Sequence, residues 1–238
     1  MTTRSAALVT GGTGALGRAV VARLLEDGLR AAVTFRSAPE WEELRAAHAD
    51  AVGSGDLIGI DADVVDESSV ERAVGRAAKA FGGLRVLMHV AGGYAGGVAV
   101  ERVDGATVRR MLDLNLTSAF WAAKHVIPHA KASGGGRLLF VSSRGAVECL
   151  PGAAAYAAGK AGIHALVQTL AKELRSDGMT ANAILPSVID TPANRAAMPG
   201  ADFTSWVRPE EIAGLLSFLA SERASAISGV LIPIYGRA

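Results

Sequence analysis

The chain has 238 residues, half of them hydrophobic and only 5% aromatic, with 28 glycines, a composition that suits one α/β core with closely packed helices and argues against disorder. Its formal net charge is +1 and its arginines are scattered, so it lacks the basic footprint of a nucleic-acid binder. Cys149 is the single cysteine, which excludes an intrachain disulfide and a cysteine-rich metal site.

The opening MTTRSAALVTGGTG enters an apolar run at once, leaving no room for a signal peptide, and no segment offers the ~18 uninterrupted apolar residues of a membrane span. The expectation is a cytoplasmic chain with no membrane partner. In chain order, 6–10, 31–35, 57–61, 85–90, 137–142, 180–185 and 230–234 read as strands, most of them apolar nearly throughout. Strands covered on both faces look like this. Helical patterns lie between them. Ser68-x-x-Glu71 has the form of a capping box, Gly82 and Gly83 end that helix, and Pro209-Glu210-Glu211 suits a helix start. The alternation predicts an α/β fold over 1–238 as a single domain: a Rossmann-type doubly wound parallel sheet of about seven strands with helices on both faces.

The first strand runs into VTGGTGALGRAVVARLLEDG, which opens a helix. Glycines there allow a tight turn and bring backbone amides to a pyrophosphate at the positive helix end. Gly11, Gly14 and Gly17 carry this spacing, so Gly11, Thr13, Gly14, Ala15, Leu16 and Gly17 are candidate cofactor residues. The next strand decides between cofactors. An NAD-binding fold usually ends it with an acid for the ribose 2′-hydroxyl. Here it ends VTFRSAPE, with Phe35 at the acid's place, then Arg36 and Ser37. A guanidinium and a hydroxyl suit a 2′-phosphate, although a solvated surface Arg would look the same. NADP(H) is the expected cofactor.

Later, Tyr156 and Lys160 stand one helical turn apart, with Ser142 and Ser143 upstream. The pieces TGGTGALG, DADVVD, VAGG, LNLTSAF, VSSRG, YAAGK and LPSVIDTP arrive in one order, and with them the chain resembles the short-chain dehydrogenase/reductase family over nearly its whole length. The resemblance implies that Tyr156 is the general acid that protonates a carbonyl oxygen receiving a hydride. It implies that Lys160 lowers the phenol's pKa and binds the nicotinamide ribose, and that Ser143 hydrogen-bonds the carbonyl oxygen. Asn115 matches the family's Asn in a water-linked proton relay; a helix-interior Asn bonded to backbone is the alternative. Asp63 and Val64 match the pair beside the adenine, Ala91, Gly92 and Gly93 the turn after the fourth strand, and Ile189 and Thr191 the contacts to the carboxamide end. Asp63 and Thr191 also read as ordinary loop and turn residues.

Some positions depart from the family pattern. Ala15 replaces a glycine, Ser187 replaces another, and His89 and Val90 replace two Asn that would brace the sheet. The segment 191–208 is shorter than the usual substrate lid. With VAGGYAGG it resembles the dihydropteridine reductase branch, whose members usually take NADH and lack the catalytic Ser. Tyr94 either stacks on a planar substrate or is a rim aromatic, and Arg144 and Glu148 either face substrate or are solvated loop charges. The expected activity is an NADPH-dependent reduction of a small-molecule carbonyl. Quinonoid dihydropteridine reductase, 3-oxoacyl-thioester reductase and a non-catalytic NADP-binding sensor are the alternatives. No metal is expected: His125 and His129, near Pro128 at a helix end, read as surface groups. The resemblance implies a homodimer or homotetramer built through helices 109–125 and 157–174.

Overall fold

In the computed structural model, which describes residues 5–237, each of the seven apolar runs is a strand. They are β1 (Ala6–Thr10), β2 (Arg30–Phe35), β3 (Leu57–Asp61), β4 (Val86–His89), β5 (Arg137–Val141), β6 (Thr180–Pro186) and β7 (Leu231–Ile234). All pair in parallel, in the order β3-β2-β1-β4-β5-β6-β7. The helices are α1 (Ala15–Glu26), α2 (Ala38–Ala47), α3 (Ala49–Gly53), α4 (Glu67–Phe81), α5 (Gly105–Leu112), α6 (Ser118–Ala132), α7 (Gly145–Glu148), α8 (Ala154–Glu173), α9 (Pro192–Ala197) and α10 (Pro209–Ala220). The fold is the expected Rossmann-type doubly wound sheet.

Two hydrophobic cores flank the sheet, and successive residues of a strand feed opposite ones. Leu8, Leu87, Leu138 and Phe140 face α4, α6 and α8. Ala7, Val9, Met88 and Leu139 face α1 and α10. Burial on both sides is what makes these strands continuous apolar runs rather than alternating ones. Helix α4 shows the complementary pattern, burying Val70, Ala73, Val74, Ala77 and Phe81 along one stripe.

Three local expectations need correction. Asp66, not Ser68, caps α4: its Oδ1 accepts from Ser68 N at 2.8 Å and Ser69 N at 3.3 Å, an equally good capping geometry two residues earlier. The helix does end at Gly82, in the left-handed conformation. The stretch read as one helix over 109–125 is α5 and α6 joined by a π-helical turn, Asp113–Thr117. Pro128 lies inside α6 rather than at its end, and His125 is half-buried with Nε2 3.4 Å from Glu67 Oε1. At α10 the expected start is present: Glu211 Oε2 accepts from Arg208 N at 2.8 Å. No described helix is long and apolar enough to cross a membrane.

Candidate active site

The strand order reverses between β1 and β4, and open parallel sheets bind ligands in the crevice at such a reversal, beyond the carboxyl ends of the strands. A cleft of about 470 Å³ lies there. Of the residues the sequence assigned to a cofactor, Gly11, Thr13, Gly14, Ala15, Leu16, Gly17, Arg36, Ser37, Val64, Ala91, Gly92 and Thr191 line it. Asp63, Gly93 and Ile189 do not. Asp63 makes a loop contact, its Oδ1 accepting from Val65 N at 3.1 Å, between Ala62 and Val64, which line the cleft. Ile189 forms a bridge with Val207 and accepts from Asn194 Nδ2 at 2.8 Å. Thr191 has both roles, lining the cleft and capping α9 through Asn194 N at 3.2 Å.

The glycine turn is forced by close approach. Gly11 adopts φ +68°, and a Cβ on it would stand 2.9 Å from Ala91 Cα; one on Gly17 would stand 2.2 Å from Gly11 O. Gly14 precedes α1 without a side-chain cap, so the first amides of a twelve-residue helix remain available to an anion in the cleft. Arg36 is exposed and forms no ion pair among the described residues. Phe35 stacks on Trp41, centroids 5.5 Å apart and rings 5° from parallel. Thr34, Glu40, Val90, Leu114 and Ala193 also line the cleft and escaped the sequence reading. For Glu40 the Ser37-x-x-Glu40 spacing was a visible signal.

At the other end, β5 leads into Ser143, and α8 presents Tyr156 and Lys160. Ser143 Oγ accepts from Gly145 N at 3.0 Å, and Gly145 packs against both this hydroxyl and the Tyr156 ring. The Tyr94 ring stands edge-on to Tyr156, centroids 5.0 Å apart. Lys160 is buried and its Nζ donates to Val141 O at 2.8 Å. Burial pulls its pKa down to about 8. The Tyr156 phenol is pushed up, by burial above all, against the lowering effect of the Ser143 hydroxyl. The Lys160 ammonium is turned to the backbone carbonyl of Val141.

Asn115 sits in the π-helical turn, fully buried. Its Oδ1 accepts from Gly93 N at 3.1 Å, and its Nδ2 donates to Gly93 O at 2.9 Å and Met111 O at 3.0 Å. It therefore does bond backbone, and it does so beside Lys160. A Cβ on Gly92 would stand 2.8 Å from Lys160 Nζ and 2.9 Å from Asn115 Oδ1. Gly92 is thus the gap across which these two groups face each other. Turns of π geometry often mark functional positions.

Five further side chains hold this arrangement. Ser118 Oγ donates to Leu114 O at 2.7 Å, so the contact to His89 Nε2 at 3.2 Å has the imidazole as donor. His89 Nδ1 then accepts from Thr10 Oγ1 at 3.0 Å. Burial, with the Lys160 charge in second place, depresses the His89 pKa to about 3. The bracing that the sequence appeared to lose with two Asn is supplied by a neutral His89 linking β1, β4 and α6. Similarly, Ser142 Oγ donates to Lys160 O at 3.0 Å and meets His164 Nε2 at 2.9 Å, tying β5 to α8. Arg144 is already partnered: its Nε is 2.6 Å from Glu148 Oε1 and its guanidinium lies over Tyr235 at 5.2 Å.

Comparison with known proteins agrees with the geometry. Residues 5–201 match the family model for short chain dehydrogenases. The chain is 35% identical to the 3-oxoacyl-acyl-carrier-protein reductase MabA of Mycobacterium tuberculosis, over 96% of this chain and 90% of that protein. It is 32% identical to a cis-4-hydroxycyclohexanecarboxylate dehydrogenase of Sinomonas cyclohexanicum, over 97% and 94%. Among solved structures it resembles a short-chain type dehydrogenase/reductase from Mycobacterium ulcerans, with TM-score 0.92 and 26% identity over 100% of this chain and 90% of that one.

Proposed function

We propose a reaction for a chain that belongs to the short-chain dehydrogenase/reductase family and is an oxidoreductase: reduction of a small-molecule carbonyl with NADPH. The observation that carries it is that Gly92, which lines the cleft opposite a glycine turn with an uncapped helix N-terminus, packs against Lys160 and Asn115, while Ser143 and Tyr156 meet at Gly145 nearby on the same chain segment as Lys160.

The residues present fit a nicotinamide dinucleotide. The turn from Gly11 to Gly17 would hold its pyrophosphate, Arg36 and Ser37 a 2′-phosphate, and Ala91, Gly92 and Thr191 its nicotinamide half. When bound, the dinucleotide supplies a hydride to the substrate carbon. Tyr156, kept protonated by burial, donates its phenolic proton to the substrate oxygen. The Ser143 hydroxyl, which accepts from Gly145 N and keeps its own proton free, donates a hydrogen bond where negative charge develops. Lys160, one helical turn along α8 from Tyr156, is the cation that would stabilise the phenolate that proton donation leaves and hold the nicotinamide ribose. Asn115 fixes the Gly92–Gly93 turn and the Lys160 side chain opposite it.

The short segment 191–208 and the edge-on Tyr94 leave the catalytic end open to flat or extended substrates; α9 and the turn Phe203–Ser205 are its regular elements. Similarity to MabA favours a 3-oxoacyl thioester as one such carbonyl. We extend the reading to a homodimer or homotetramer, supported by Phe120, an exposed aromatic on α6. The test is NADPH oxidation with ketones, a 3-oxoacyl thioester and a quinonoid dihydropterin, comparing wild type with Ser143→Ala. Carbonyl turnover that collapses in the variant supports the reading. Dihydropterin turnover that survives it supports the dihydropteridine reductase alternative.

A further inference from the structure

The carboxylate of Glu40 has turned away from the partner its own helix offers. Ser37 caps α2, its Oγ accepting from Glu40 N at 3.4 Å, and in a capping box the Glu side chain reaches back to the cap residue's backbone N–H. Glu211 does so at α10. Glu40 instead directs Oε2 at Thr13, accepting from its hydroxyl at 2.9 Å, and it lines the cleft together with Arg36 and Ser37. Local helix chemistry therefore does not dictate where this charge sits.

The charges at that end of the cleft pull in opposite directions. Arg18 is engaged by Thr13 O at 2.8 Å, Glu40 O at 3.1 Å and Glu43 Oε2 at 2.8 Å. Arg36 forms no ion pair among the described residues. A 2′-phosphate gains from Arg36 and is repelled by Glu40. A 2′-hydroxyl meets no such repulsion, and a carboxylate is an acceptor for it. We propose that Glu40 is a specificity-determining residue that holds back binding of the 2′-phosphate, so that the cleft takes both NADP(H) and NAD(H) with a small preference between them. This rests on the reading that the cleft binds a nicotinamide dinucleotide.

The test is calorimetric titration of the purified protein with NADP+ and NAD+. Removing one like charge from the end of the cleft that would hold the phosphate is expected to tighten NADP+ binding about tenfold in Glu40→Gln, without tightening NAD+ binding. Glu40→Ala moves the ratio the same way. Arg36→Ala weakens NADP+ alone. Thr13→Ala, which loosens the tether without changing charge, weakens both nucleotides alike. A ratio of dissociation constants that stays within about twofold of wild type in both Glu40 variants overturns the inference. So does a Thr13→Ala variant that reproduces the Glu40→Gln shift. Binding of neither nucleotide by wild type overturns the dinucleotide reading itself, and this inference with it.

Discussion

Replacing His89 with Asn should make the protein less sensitive to acid. His89 is fully buried between Thr10 and Ser118, and its pKa is depressed to about 3 from 6.5. The unfolded chain binds a proton at this residue as pH falls through about 6.5, whereas the folded chain does not until about pH 3. Below the unfolded value the unfolded state holds more protons, so stability falls with pH. Integrating the linkage from about pH 7.5 to about 4.5 assigns a loss of about 3 kcal/mol to this one imidazole. His89→Asn keeps a donor and an acceptor between Thr10 and Ser118 and cannot titrate. Carboxylates held below their ordinary range, such as Asp27 and Glu67, also lose stability in acid, but they do so in both proteins. Urea unfolding of wild type and variant across that range should give curves that converge toward acid by about 3 kcal/mol. Parallel curves would refute a neutral, buried His89.

Lys160 should act in the alkaline direction. Its folded pKa of about 8 lies below the ordinary 10.5, so from about pH 8 to 10.5 the unfolded chain holds the extra proton and stability rises with pH, by about 3 kcal/mol relative to Lys160→Met. Urea midpoints of the two proteins across that range check it; a constant difference contradicts it. Asn115→Ala leaves the N–H and C=O of Gly93 without their partner, and should destabilise by about 3 kcal/mol. The same unfolding assay reads this, and a loss below about 1 kcal/mol would show that water replaces the side chain.

The parts of the fold that were legible in the sequence are those whose signal is local. The strands stand out because two-sided burial makes them apolar throughout, and the helix limits at Gly82 and Pro209 because those residues restrict backbone geometry wherever they occur. The break between α5 and α6 left no trace, since the π-helical turn DLNLT holds no Gly or Pro to mark it and is helical on both sides. Asp66 and Ser68 are both competent caps, and only the path of the chain chooses between them. At the site, the spacing of Tyr156 and Lys160 put both on one helix, and α8 carries them one turn apart. The work of His89 did not show, because its partners Thr10 and Ser118 come from β1 and α6, brought together only when the sheet forms. The same holds for the ammonium of Lys160, whose carbonyl partner at Val141 belongs to β5. Side-chain roles that depend on a neighbouring element were the ones the sequence concealed.

The most direct test of the central claim is single-turnover NADPH oxidation with a 3-oxoacyl thioester and a simple ketone, in wild type and Tyr156→Phe, which deletes one oxygen and leaves the ring against Tyr94. The account predicts that hydride transfer to either carbonyl falls by at least about 10²-fold while nucleotide binding is unchanged. A variant that reduces carbonyls at the wild-type rate would contradict it, because the proton would then come from elsewhere.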